Sequence, residues 1–322
     1  MGALGRLLIT GAGGFIGRAT VAAARARGIE VVAVARRSVA PGWAEDDGIE
    51  VLRADLSDPA CVNALSGAMR GCIAVIHAAA HLGGDDAALR ADTLLATSHL
   101  LDALPPEMRL VLVSSIAVYD TMALSPGDVL DEDAPLNTPA GAQDGYSRAK
   151  LAQEGLCAAR GGPLWMMRPG AVYGPGRSWH ALNGFWAGPL LVRIESDGAL
   201  PLCHVDHLGR SLVSAAMTDP GGVRVVNVVD DDLPTRTRFC ADHRRLTGWP
   251  KAMLPVPYGA WLGVARALRP ISGKLPGLLR EPVLRARMMP LSYPNHALRE
   301  ALGGRDDAPF SEMLARSVEG AA

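Results

Sequence analysis

The stretch Thr10-Gly11-Ala12-Gly13-Gly14-Phe15-Ile16-Gly17 constrains the fold more than any other part of the chain. Before it runs Arg6-Leu7-Leu8-Ile9, short, apolar and partly β-branched, which reads as a buried strand. After it, from Phe15 to Arg27, Ile16, Ala19, Ala23 and Ala24 fall at helical spacing. The glycines therefore sit at a strand-to-helix turn. A tight turn needs positive φ, and an anion can approach the backbone only where no Cβ intrudes. The following helix aims its free N–H groups and positive dipole end at the turn. Gly11 makes the turn, Gly14 admits a pyrophosphate and Gly17 lets helix and strand pack closely, with Gly13, Phe15 and Ile16 completing the cradle. A ligand-free glycine-rich loop is the bland alternative; the flanking strand and helix favour a dinucleotide.

The rest of the composition bounds the answer. With 322 residues, 49% hydrophobic and 20% charged, the chain is globular and long enough for one large domain or two unequal lobes. A net charge of −1 gives no electrostatic case for nucleic acid or an anionic membrane. The five cysteines show no C-x-x-C spacing, which argues for a reducing compartment and against a disulfide framework. No apolar run reaches membrane length, and the glycines of the turn interrupt any signal-peptide core, so a cytoplasmic protein is expected.

Strand patterns alternate with helix patterns up to Arg168, which predicts a doubly wound parallel sheet of the α/β class. The domains expected are residues 1–168 for the dinucleotide and 169–322 for a smaller, interleaved substrate lobe, with a strand returning near 223–229. The second strand, Val31 to Ala35, ends on Arg36-Arg37-Ser38. In such folds an acid there bonds the ribose 2′-hydroxyl of NAD, and an arginine accommodates the 2′-phosphate of NADP. No acid follows until Glu45, so NADP(H) is preferred and NAD(H) stays open; a solvated basic turn is the alternative. After a third strand, Ser57 or Asp58 can N-cap a helix from Pro59 to Met69. The fourth strand leads into Ala78-Ala79-Ala80, small enough to leave room for a cofactor. Ala87 to Ala103 reads as one long helix. The polar loop from Asp120 to Gly145 is long enough to suggest a functional lid.

Tyr146 and Lys150, four apart at the start of a helix, share one face. A nearby ammonium favours the phenolate, so the tyrosine can pass a proton near neutral pH. With five tyrosines in the chain and lysine only at Lys150, Lys251 and Lys274, chance supplies such a spacing only about 0.05 times.

These motifs together resemble the extended short-chain dehydrogenases/reductases of the epimerase/dehydratase type, over almost the whole chain. TGAGGFIG resembles the family's cofactor turn. Ser114-Ser115-Ile116-Ala117-Val118-Tyr119 resembles its S-S-x-x-V-Y stretch, and Pro169 to Gly176 its P-x-x-V-Y-G-P-G turn. The resemblance implies Ser115, Tyr146 and Lys150 as catalytic residues. It implies Asp55 and Leu56 at the adenine, Ala78 to Ala80 by the nicotinamide ribose, and Ser114, Pro169 and Val172 along the cofactor. Thr93 stands where the family usually has an asparagine of a proton relay. Cys203 to Leu208 resembles V-H-V-D-D-L, used structurally, so His204, Asp206 and His207 imply no metal. A homodimer is implied by the family's habit.

The implied reaction is hydride transfer between a nicotinamide and a carbonyl or alcohol carbon, with a small molecule as partner. Nucleotide-sugar relatives usually carry a diphosphate-clamping arginine where this chain has Leu200, which favours a small or apolar substrate. Trp179, Phe185 and Trp186 either line an apolar pocket or belong to the core. Arg193, Arg280, Arg285 or Arg287 could supply a clamp from elsewhere, which keeps a nucleotide-sugar epimerase, dehydratase or 4-ketoreductase in play. A non-enzymatic NADP(H)-binding sensor is the third class, and the intact Ser-Tyr-Lys set argues against it.

Overall fold

Strands buried on both faces of a parallel sheet read as continuous apolar runs, and the chain supplies five before residue 170, with a sixth strand, Ile49–Arg53, half-exposed at the sheet's edge. In the structure, a computed structural model that describes residues 5–83, 85–275 and 277–320, they are β1 (Arg6–Thr10), β2 (Glu30–Ala35), β3 (Ile49–Arg53), β4 (Cys72–His77), β5 (Arg109–Val113) and β6 (Leu164–Pro169). The segment Val223–Val228 returns as a seventh strand beside β6. The order is Val223–Val228, β6, β5, β4, β1, β2, β3, and every pair is parallel. The order reverses between β1 and β4, the switch point where ligands bind at the C-terminal ends of strands.

The crossovers are α1 (Phe15–Ala26), α2 (Cys61–Ala68), the helical run α3 (Asp86–Leu89) to α4 (Ala96–Ala103), and α5 (Gly145–Ala159). Successive side chains of β1 serve opposite faces. Leu7 and Ile9 join a core with Leu208, Leu212 and Val213 of α6 (Val205–Met217). Leu8 joins the other core with Leu65, Leu100 and Cys157.

Four expectations need correction. The helix after Asp58 begins at Cys61, and its N-cap, Ala60, offers no side-chain oxygen. Asp58 instead turns the chain locally, accepting from Ala60 N at 2.9 Å. The helix from Ala87 to Ala103 is interrupted: Arg90–Leu95 is π-helical, a widening often found at functional sites. The loop after Asp120 is no detached lid. Asn137 Nδ2 donates to Tyr119 O at 2.8 Å, and Leu130 N donates to Ser292 O at 2.9 Å, so the loop is pinned as a wall. Finally, although the segment from Leu254 to Leu302 reads in sequence as short amphipathic helices between Pro breaks, Ala252–Pro257 is a strand. It lies at the edge of a three-stranded sheet with Leu190–Glu195 and Gly184–Ala187, the one place where proline is tolerated.

Candidate active site

The glycine turn is built as the residue types require. Gly11 has φ +63°, and a Cβ there would lie 2.7 Å from Ala79 N. A Cβ on Gly17 would lie 2.2 Å from Gly11 O, so the helix can meet the strand only without one. Gly14 is the N-cap of α1 and carries no capping side chain, leaving the first N–H groups free for an anion.

Two cavities meet at this turn, sharing Gly11, Gly14, Ala78 and Ala80. The smaller, about 360 Å³, also holds Gly13, Arg36, Arg37, Asp55, Leu56 and Ala79. The larger, about 540 Å³, also holds Phe15, Ile16, Gly17, Ser114, Ser115, Tyr146, Lys150, Pro169 and Val172. The structure thus brings the residues expected at the cofactor, together with Ser115, Tyr146 and Lys150, along one groove over the sheet's C-terminal edge. A glycine-floored helix N-terminus joining a small cavity that holds Arg36, Arg37, Asp55 and Asp92 to a larger one suits a dinucleotide.

The helix carrying Tyr146 and Lys150 is tied to the end of β5. Asp144 caps α5 by accepting from Ser147 N at 2.9 Å. The Ser147 hydroxyl donates to Ala117 O at 2.5 Å and Gln143 Nε2 to the same oxygen at 3.1 Å, which sets Tyr146 beside the Ser115 turn. The Ser115 hydroxyl itself accepts from Ala117 N at 3.2 Å. Ser114 is buried and donates to Glu154 at 2.6 Å, so its side chain is committed below the groove. Glu154 in turn holds Arg168 through two hydrogen bonds of 2.9 and 2.7 Å.

Lys150 departs from the simple expectation of an ammonium set against the phenol. Its Nζ lies 6.0 Å from the Tyr146 ring centre and donates instead to Val113 O at 2.8 Å and Gln153 Oε1 at 2.9 Å. Burial pulls the lysine down to about 8. Burial also pushes the Tyr146 phenol above its ordinary value, opposed by the neighbouring Ser115 hydroxyl. The phenol is therefore held protonated, a donor rather than a phenolate.

Gln153 was not singled out from the sequence, although its place three residues after Lys150 puts both on one helical face. Its Nε2 donates to Thr97 Oγ1 at 2.9 Å, and Thr97 donates to Thr93 O at 2.6 Å within the π-helical run. Thr97 has spent its only proton, so the contact of 2.9 Å with His77 Nε2 requires an N–H there. His77 Nδ1 then accepts from Thr10 at 2.7 Å, and burial pushes the imidazole down to about 3. A buried polar chain thus runs from Lys150 to β1. Thr93 joins it through its carbonyl, while its hydroxyl accepts from His81 N at 3.0 Å.

At the other end of the groove, the premise that no acid faces Arg36 is corrected. Asp92 accepts two hydrogen bonds from Arg36, at 2.9 and 3.2 Å, and Asp55 lies 3.6 Å away. Asp92 is 56 residues from Arg36 and belongs to the π-helical run, so no local pattern announced it. Hydrogen bonds from Ser57 hold the Asp55 carboxyl below its usual range, with Arg36 adding to them. The side chain of Arg37 makes no hydrogen bond or ion pair among the described residues.

The aromatic residues after the Tyr173 turn do not line the groove. Trp179 packs on Trp249 at 4.5 Å and on Phe239 at 5.6 Å, Trp186 stacks on Trp249 at 4.6 Å, and Phe185 meets Trp261 at 5.1 Å. Leu200 is fully buried. The apolar wall comes instead from Leu82, Ile116, Leu130, Leu182 and Tyr293. Elsewhere, His207 Nδ1 lies 2.9 Å from Asp230 and 3.2 Å from Asp306, a spacing open to a metal. Those oxygens are already engaged: Asp230 accepts from His204 N at 2.9 Å and Asp306 from Arg299 at 2.6 Å.

Residues 7–193 match the NAD dependent epimerase/dehydratase family, and the chain belongs to it. Among curated proteins it is 31% identical over 261 residues to a 3-diazoavenalumate denitrifying reductase of Streptomyces sp, covering 76% of this chain and 82% of that one. Among solved structures, MoeE5 in complex with UDP-glucose and NAD is similar at 22% identity and a TM-score of 0.71, over 98% of both chains. UDP-glucose 4-epimerase from Bifidobacterium longum, in complex with NAD+ and UDP, is similar at 17% identity and a TM-score of 0.72, over 98% of this chain and 97% of that one. The chain is accordingly an NAD-dependent enzyme of the oxidoreductase and epimerase kind. Among the described residues no helix is long and apolar enough to cross a membrane.

Proposed function

We propose that this enzyme is an NADP(H)-dependent oxidoreductase that reduces a small, largely apolar carbonyl compound, or oxidises the matching alcohol. The observation that carries this reading is the 540 Å³ cavity, with Ser115, Tyr146 and Lys150 on its lining, an aliphatic wall, and a buried leucine where a diphosphate clamp was sought. The nicotinamide supplies the hydride when bound. In the reductive direction Tyr146 gives its proton to the carbonyl oxygen as the carbon gains hydride, yielding the alcohol and the oxidised cofactor. Ser115 donates a hydrogen bond to the same oxygen. Lys150 spends two donors on Val113 and Gln153, and its third proton is free for the cofactor ribose. The reductase relative favours net reduction over an internal hydride cycle.

A nucleotide-sugar epimerase or dehydratase is the second reading, favoured by the ligands named in the solved structures. Titration with UDP and dTDP separates the two: micromolar binding of either in the large cavity replaces the first reading by the second.

The preference for NADP(H) rests on Arg37 more than on Arg36. The Asp92 and Asp55 carboxylates share Arg36, whereas Arg37 lies in the same cavity with its fork unspent. Arg37→Ala should weaken NADPH binding about tenfold or more while leaving NADH binding unchanged, since a charge-assisted phosphate contact is worth about 1.5–3 kcal/mol. Equal loss for both cofactors, measured by fluorescence titration, contradicts the preference. The five free, buried cysteines suit a cytoplasmic setting.

A further inference from the structure

We infer that one end of the large cavity is an anchor for a single substrate carboxylate, formed by the Arg287 guanidinium with His180 beside it. The inference deepens the oxidoreductase reading and rests on it for the use of the cavity.

Of the arginines that could meet an anionic substrate, most are already engaged. Arg193 pairs with Glu195. Arg285 donates to Glu281 at 3.1 Å and to Leu124 O at 2.9 Å. Arg280 donates to Gln143 O at 3.4 Å. Arg177 lines the cavity but lies over the Phe15 ring, 4.8 Å from its centre, at the cofactor's helix N-terminus. Arg287 also lines the cavity, and its guanidinium has no hydrogen bond or ion pair among the described residues.

The backbone at Arg287 is nonetheless fixed. Its carbonyl accepts from Arg236 Nη2 at 2.7 Å, and Arg236, itself buried, donates Nε to Leu182 O at 2.7 Å. One buried guanidinium thus draws the end of the helix Glu281–Met288 and the turn Ala181–Asn183 together. His180 caps that turn: Nδ1 accepts from Leu182 N at 3.3 Å, which leaves Nε2–H as a donor. Burial, with Arg287 nearby, pushes the imidazole down to about 4, so it is neutral at physiological pH.

Among the described residues the cavity's only carboxylate is Asp144, spent on capping α5. A guanidinium fork matches one carboxylate bidentately, and the neutral imidazole adds a donor without adding charge. One fork matches one carboxylate, whereas a diphosphate takes a second cation, and Arg177 stands over Phe15 at the glycine-turn end of the cavity. The wall of Leu82, Ile116, Leu130, Leu182 and Tyr293 suits an apolar body.

Calorimetry on the NADP+ complex tests the anchor, with 4-formylbenzoate, its methyl ester and UDP as probes, on the wild type and Arg287→Met. The wild type should bind the acid about tenfold or more tighter than the ester, the scale of one charge-assisted contact. In Arg287→Met that ratio should fall to about one, with melting temperature and NADP+ affinity kept. No binding of the acid, a wild-type ratio near one, a ratio that survives the substitution, or a matching loss of NADP+ affinity overturns the anchor. So does UDP binding that depends on Arg287. A confirmed anchor without NADPH oxidation by 4-formylbenzoate leaves the inference standing and defeats the oxidoreductase reading instead.

Discussion

At the scale of single residues, Lys150 sets the pH behaviour. Burial brings its ammonium down to about 8, against about 10.4 for a free lysine. Between those values the unfolded chain binds the proton that the folded one has released, so this residue's contribution to stability rises with pH across that window. The charge available to the cofactor ribose and to Tyr146 falls over the same range. The profile of kcat/KM for NADPH, which reports the free enzyme, should therefore fall above pH about 8. A flat profile from about pH 7 to about pH 10 contradicts the assignment. On the mechanism proposed above, Tyr146→Phe removes only the proton donor, and should lower kcat by about 10²–10⁴-fold with NADPH affinity unchanged in a titration. That Tyr146 and Lys150 share one helical face was legible from their spacing, and that Ser115 stands beside them in the groove followed only from the resemblance of Ser114 to Tyr119 to the family's stretch. Asp92 and Gln153 were not, because each acts through a partner fixed by tertiary packing: Asp92 through Arg36, and Gln153 through Thr97 as well as Lys150.

At the scale of elements, the strand–turn–helix unit is the most tightly specified part. Gly17→Ala would put a methyl carbon 2.2 Å from Gly11 O, and backbone on both sides leaves little room to give. The expected cost is about 1–3 kcal/mol, the range for overpacking, together with loss of cofactor binding because the turn must open. A melt unchanged from the wild type would show that the helix can slide away. Five of the first six strands were readable because burial on both faces demands apolar runs, and β3, half-exposed at the sheet's edge, from its short run Val51-Leu52 after Ile49. The strand Ala252–Pro257 was not, because Pro255 and Pro257 erase the strand signal at an edge where the ladder does not need their N–H groups. The π-helical run was equally hidden, since its residues keep an ordinary helical composition. The loop after Asp120 read as a lid because length and composition report exposure, whereas its pinning depends on partners at Pro290 and Ser292.

Across the whole molecule, the sheet and the glycine turn place a smaller cavity lined by Arg36, Arg37, Asp55 and Asp92 and a larger, more apolar one end to end. The fold's own logic dictates that groove, because the strand order reverses at β1 and β4, where the glycine turn and Ala78 meet. The substrate end is the part the sequence specified least. Its wall is assembled from the loop Asp120–Gly145, the turn Ala181–Asn183 and the helix Glu281–Met288, segments far apart in the chain. The most direct test of the central claim is the fate of a deuterium carried at C4 of NADPH during incubation with an aromatic aldehyde. The account predicts one NADPH oxidised per alcohol formed, with label on the carbinol carbon, and both slowed by about 10²–10⁴-fold in Tyr146→Phe. An enzyme that leaves NADPH unoxidised while binding UDP or dTDP at micromolar concentration would contradict it.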